Sequence, residues 1–157
     1  MGSDNLFVYT ACYASEAVAR EDLATFQDIA AIGVVGKYDT ALLQKTADGK
    51  IKVEKHGTQA ASGGWKGAVA GGFVGLLFPP SILVGALAGA LGGGLAGKLW
   101  GGMSRGDLSE LGEVLDVGET GLVIVGESTL DEYVDKALQR AVKQARKVAK
   151  ADLKALE

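Results

Sequence analysis

Thirty-one consecutive residues between Lys66 and Lys98 carry no charge, and glycine recurs among them at every fourth position. Gly67, Gly71 and Gly75 set the period before Pro79-Pro80, and Gly85, Gly89, Gly93, Gly97 and Gly101 continue it afterwards. Positions four apart lie along one stripe of an α-helix, so each half would present a bare-backbone face. Residues offset by two fall nearly opposite: Val69, Phe73 and Leu77 in the first half, then Leu83, Leu87, Leu91, Leu95 and Leu99 in the second. A double proline cannot continue a helix. The pattern therefore predicts a hairpin of two helices over residues 60–102, each with a smooth face for close packing and a bulky apolar face.

The arms of this hairpin are unequal. Trp65 to Phe78 gives about 21 Å of helix and Ser81 to Trp100 about 30 Å, at 1.5 Å per residue, against a bilayer core of about 30 Å. The two tryptophans of the chain, Trp65 and Trp100, stand at the two feet beside Lys66 and Lys98. Tryptophan and lysine at both feet form the pattern of an interfacial belt on one side of a membrane. A stripe of small residues every four positions also suits the right-handed crossing of small-xxx-small membrane pairs. Glycine costs about 1 kcal/mol against alanine in a water-exposed helix, so eight in register call for close backbone packing. The competing expectation buries the arms against each other in water, and the leucine stripe then needs other copies of the chain to cover it.

Two nucleotide-loop patterns inside the segment lack their structural setting. Gly92, Gly94 and Gly97 have dinucleotide-fingerprint spacing, but that motif needs a strand before it, and here a helical four-residue period precedes. Gly92 to Lys98 spells most of a Walker A loop, with Leu99 where the metal-binding hydroxyl should follow.

The rest of the chain has an ordinary globular composition, whereas 14 of its 24 glycines lie between Gly63 and Gly102. Leu6 to Tyr13 reads as a buried strand. Ser15 caps a helix with Ala19, Leu23, Phe26, Ile29 and Ala30 on one face, and Glu16, Glu21 and Asp22 near its positive end. Tyr38 to Thr46 and Ile51 to Lys55 read as strands around an Asp48-Gly49 turn. Asp107 to Leu115 follows as a short helix and Leu122 to Val125 as a central strand. The order β-α-β-β-(insertion)-α-β predicts an α+β fold of ferredoxin-like, split βαβ plan. Its core comprises residues 5–57 and 103–128, with the hairpin inserted between.

From residue 129 to 157 the spacing predicts one long amphipathic helix, with Leu130, Val134, Ala137, Leu138, Ala141, Ala145 and Val148 on a modest apolar face. Lys136, Arg140, Lys143, Lys147, Lys150 and Lys154 step by four and three into a basic stripe. That stripe reads as a solvated face or, more sharply, as a contact for anionic lipid headgroups.

Catalytic and metal chemistry find little purchase. His56 is the one histidine and Cys12 the one cysteine, so neither a histidine pair nor a cysteine cluster forms within a chain. Cys12 is expected to be a small apolar residue of a buried strand. A net charge of −3 argues against nucleic acid as a partner. The first residues show no basic stretch before an apolar core, which leads to the expectation of a cytoplasmic body.

Several segments resemble a bacterial, especially actinobacterial, family of small predicted membrane proteins carrying a domain of unknown function. They are Leu6-Phe7-Val8-Tyr9 with Ala17 to Leu23 behind it, Gly36-Lys37-Tyr38-Asp39-Thr40-Ala41 and Gly75-Leu76-Leu77-Phe78-Pro79-Pro80. Leu99-Trp100, Gly102-Met103-Ser104-Arg105 and Val125-Gly126-Glu127-Ser128 complete the set. The resemblance implies a ferredoxin-like core with a glycine-zipper hairpin, and neither a cofactor nor a catalytic residue to carry over. The expectation is a non-enzymatic protein that associates with itself and inserts its hairpin into the inner membrane. The alternatives are a soluble ring, shell or filament with a shared apolar interior and, by fold analogy alone, a small-molecule sensor.

Overall fold

The computed structural model describes residues 5–32, 38–55, 83–85, 105–117, 120–127 and 131–150. Its elements are β1 (Asn5–Tyr13), α1 (Glu16–Ala31), β2 (Tyr38–Lys45), β3 (Ile51–Lys55), β4 (Leu83–Gly85), α2 (Arg105–Val117), β5 (Thr120–Glu127), α3 (Asp131–Ala137) and β6 (Lys143–Lys150). The strands form one sheet in the order β4-β3-β2-β5-β1-β6. Neighbours from β3 to β6 are antiparallel, and β4 runs parallel to β3 at the edge.

Local chemistry accounts for the element boundaries. Ser15 adopts an extended conformation and its hydroxyl accepts the Val18 N–H at 3.4 Å, capping α1. Between β2 and β3, Gly49 takes φ of +82°, a region that a side chain disfavours. Its N–H reaches the Thr46 carbonyl at 3.1 Å, while the Thr46 N–H bonds the Lys50 carbonyl at 2.8 Å and closes the turn.

β1 is buried on both sides, from Phe7 to Tyr13, because the sheet is roofed on both faces. On one face Phe7, Tyr9, Ala11 and Tyr13 meet Ala19, Leu23 and Phe26 of α1 and Val134 and Ala137 of α3. Phe26 and Tyr38 stack edge to face there, with centroids 5.2 Å apart. The even-numbered residues of β1 face α2, where the Thr10 hydroxyl donates to the Leu111 carbonyl at 3.1 Å. A Cβ at Gly121 of β5 would stand 2.7 Å from Leu115 Cδ2, so glycine there lets α2 lie close to the sheet.

The α+β class and the order of the first elements match the sequence expectation, and three finer features differ from it. First, the ferredoxin-like plan gathers its helices on one face of the sheet. Here α2 lies opposite α1, and β1 pairs with β5 and β6 and not with β3. Second, Leu83, Val84 and Gly85 form a strand opposite Ile51, Lys52 and Val53, not the start of a helix. Apart from these three residues, the expected hairpin over 60–102 lies outside the described residues.

Third, residues 129–157 are not one long helix. α3 ends at Ala137, and residues 143–150 pair with β1 from Asn5↔Lys150 to Cys12↔Lys143. The physical reason lies in β1. Both its faces are covered, so both its edges need hydrogen-bond partners. β5 supplies one edge and β6 the other, an obligation that outweighs the helix propensity of alanine, lysine and arginine.

Candidate functional site

The most constrained polar cluster joins the end of β1, the first turns of α1 and the loop before β6. Asp22 follows Ala19 by three positions and precedes Phe26 by four, which places it on the inward face of α1. It is 3% exposed. Its Oδ2 accepts the Tyr13 hydroxyl at 3.0 Å and the Arg140 backbone N–H at 3.0 Å. Burial, followed by the adjacent Asp22 carboxylate, pushes the Tyr13 hydroxyl far above the ordinary tyrosine range. Beside them the Arg140 guanidinium pairs with Glu21, and the Val142 N–H reaches the Cys12 carbonyl at 2.8 Å. Both donors to Asp22 belong to the fold itself, so the carboxylate acts as a tie: it fixes the turn that aims β6 along β1.

A second polar region covers the outer part of α1. Arg20 bonds Glu54 at 2.8 Å and Glu16 at 3.3 Å, and Lys52 approaches Glu54 at 3.4 Å. Hydrogen bonds that Arg20 donates to Glu54 and then to Glu16 raise its already high pKa. These side chains are 26–51% exposed, and such pairs contribute about 0–1 kcal/mol each. Nearby an open cleft of about 420 Å³ is lined by Glu16, Gln44, Lys45, Thr46, Ala47 and Thr120. The Gln44 amide bonds Glu16 across it. Its lining places one carboxylate among neutral and cationic groups, without a second acid or a nucleophile–base pair.

The residues singled out by sequence fall in three places. Gly67, Gly71, Gly75, Gly89, Gly93, Gly97 and Gly101 lie outside the described residues, as do Trp65, Lys66, Lys98, Trp100, Lys154 and His56. Gly85 lies in β4, opposite Val53. Of the basic stripe, Lys136 sits on α3 with its ammonium 5.6 Å from the Tyr133 ring centroid, and Arg140 is engaged by Glu21 in the following loop. Lys143, Lys147 and Lys150 occupy β6. A strand alternates its faces, so Lys143 and Lys147 take one side of the sheet and Lys150 the other. The five positions among the described residues thus do not form one stripe. Cys12 is fully buried, as expected.

Sequence reasoning placed Asp22 near the helix N-terminus but missed the tie to Tyr13 and Arg140. The legible signal was an acid at the 19/22/23/26 spacing of an otherwise apolar face. Among the described residues, three or more histidine, cysteine or acidic side chains do not gather into a metal site. Among the same residues, no helix is long and apolar enough to cross a membrane.

Residues 64–157 match the model of a family described as a protein of unknown function (DUF1269). The match begins ahead of β4 and runs through α2, β5, α3 and β6, the two strands that flank β1 among them. No curated protein and no solved structure matches the chain.

Proposed function

The chain belongs to the DUF1269 family of proteins of unknown function, and we propose that it acts without catalysis, as a self-associating protein whose glycine-paced segment packs between copies. The sheet supports this reading as a platform: β3 delivers the chain into the segment at Lys55 and α2 receives it again at Arg105. Glycines four apart would, on a helix, offer close backbone approach, and the leucines opposite them would need a cover that other copies provide.

The observation that carries the choice of surroundings is the pairing of Leu83–Gly85 with Ile51–Val53. A two-armed span turning at Pro79-Pro80 would carry Leu83, three residues further on, to the far side of a core about 30 Å thick. Leu83 is instead a neighbour of Ile51 at the edge of the sheet. This favours an assembly in which sister copies cover the apolar face. Insertion into the inner membrane is the second reading, favoured by Trp65-Lys66 and Lys98-x-Trp100 at the feet of the segment. It requires β4 to leave β3.

Native mass with and without detergent, together with an alkaline wash of the membrane fraction, separates the two. A discrete oligomer that stays in the supernatant without detergent supports the assembly. A protein recovered only with detergent, from the washed membrane pellet, replaces it with the inserted form. Gly71→Leu with Gly89→Leu should reduce the oligomer to smaller species, and an unchanged mass in that variant refutes packing through the glycine stripe.

A further inference from the structure

The outer edge of β6 is the surface whose chemistry is most specific. Among the described residues β6 has one neighbour in the sheet, β1, so the N–H and C=O groups of alternate residues, about four of the eight, point outward along its other edge. Such an edge is about 27 Å long at 3.4 Å per residue. It carries four cations and not one acid: Lys143, Arg146, Lys147 and Lys150. They stand at the first, fourth, fifth and eighth positions, a spacing that reads the same in both directions.

Register divides them between the faces. Lys143 and Lys147 lie opposite Cys12 and Val8, on the side of α2, while Arg146 and Lys150 lie opposite Tyr9 and Asn5, on the side of α1 and α3. A flat anionic membrane laid on either face would meet helices first, and only two of the four positions belong to each face. A second copy of β6 fares worse. In-register antiparallel pairing would set Lys143 against Lys150 and Arg146 against Lys147, and like charges directly opposite are destabilising. The edge therefore rejects itself, the usual use of lysine on an edge strand. An extended acidic segment meets neither obstacle. It gains main-chain hydrogen bonds along the edge and finds cations on both sides of the sheet, in either strand direction.

We propose that the outer edge of β6 is a docking site for an acidic, extended peptide segment of a partner protein, which adds as a further strand of the sheet. The probe is a fluorescent octapeptide, Glu-Thr-Val-Glu-Glu-Val-Thr-Glu, titrated against the full chain and read by anisotropy. Its control has the same sequence and charge but is N-methylated at every residue, which removes the backbone donors of both its edges without altering the side chains.

The expected result is saturable binding of the octapeptide, at least tenfold weaker binding of the methylated control, and amide shifts concentrated in residues 143–150. An Arg146→Glu, Lys147→Glu variant should lose at least tenfold in affinity; the comparison of the two peptides stands even if that variant does not fold. Equal binding of both peptides would reduce the site to nonspecific charge attraction and overturn the proposal. Binding of phosphatidylglycerol vesicles without binding of the octapeptide would also overturn it, in favour of a lipid-facing strand.

Discussion

Replacing Asp22 by alanine tests whether the β1–α1–β6 joint rests on one carboxylate. Asp22 Oδ2 holds two donors at 3.0 Å, the hydroxyl of fully buried Tyr13 and the amide of Arg140. Hydrogen bonds to a charged acceptor contribute about 1.5–3 kcal/mol each, and a buried donor left without a partner costs about 1–3 kcal/mol. The Arg140 amide is only partly buried and recovers part of its loss from water. Removing a carboxylate that is 3% exposed also relieves its desolvation, which offsets some of the damage. The net loss should be about 2–4 kcal/mol, a large share of the roughly 5–15 kcal/mol that folds a typical domain. With a urea slope of about 2 kcal/mol/M, the midpoint should fall by about 1–2 M. Tyr13→Phe alone should cost less, because it removes a donor and leaves the Arg140 bond intact. In the double variant the orphaned hydroxyl is gone, so the two losses should fall short of their sum by about 1 kcal/mol or more. Hydrogen exchange should quicken first at residues 140–150, since the turn that sets β6 on β1 is released. A midpoint shift below about 0.3 M, or strictly additive losses, would refute the joint.

Two further outcomes follow from the same geometry. The Tyr13 hydroxyl ionises far above its usual range when folded but near pH 10 when unfolded. Its contribution is therefore complete below about pH 10 and lost above it, by up to about 1.4 kcal/mol per pH unit; chemical denaturation between pH 9 and 11 should show this slope in the parent and a shallower one in Tyr13→Phe. Gly121→Ala places a methyl 2.7 Å from Leu115 Cδ2 and should cost about 1–3 kcal/mol by overpacking. In a Leu115→Ala background the same change should cost almost nothing, and equal cost in both backgrounds would show that α2 does not rest on that glycine.

The elements that sequence predicts well are those whose local pattern and tertiary environment agree. β1 is a largely apolar run and is buried throughout from Phe7 to Tyr13; α1 has a cap, an acidic first turn and one apolar face, and forms as expected. The misreadings arise where a period is compatible with two structures. Lys143 and Lys147 are four apart, which keeps them on one side of a helix and equally on one side of a strand, because four is a multiple of both repeats to within a few tenths of a residue. Only the positions three apart, Arg140 to Lys143 and Lys147 to Lys150, distinguish the cases, and mixed with steps of four they fit the helical spacing. What decided otherwise is non-local. A strand buried on both faces cannot leave the peptide groups of every second residue unpaired along one edge, and residues 143–150 lie more than 130 positions away from the strand they complete. Leu83–Gly85 teaches the same lesson from the other end of the sheet: its four-residue glycine period favours a helix, yet beside β3 it pairs with Ile51–Val53. In both places the sheet edge, not the residue pattern, selects the conformation. Among the described residues the sheet therefore ends differently on its two sides, in a short apolar strand from the glycine-paced segment on one and in a cationic strand on the other.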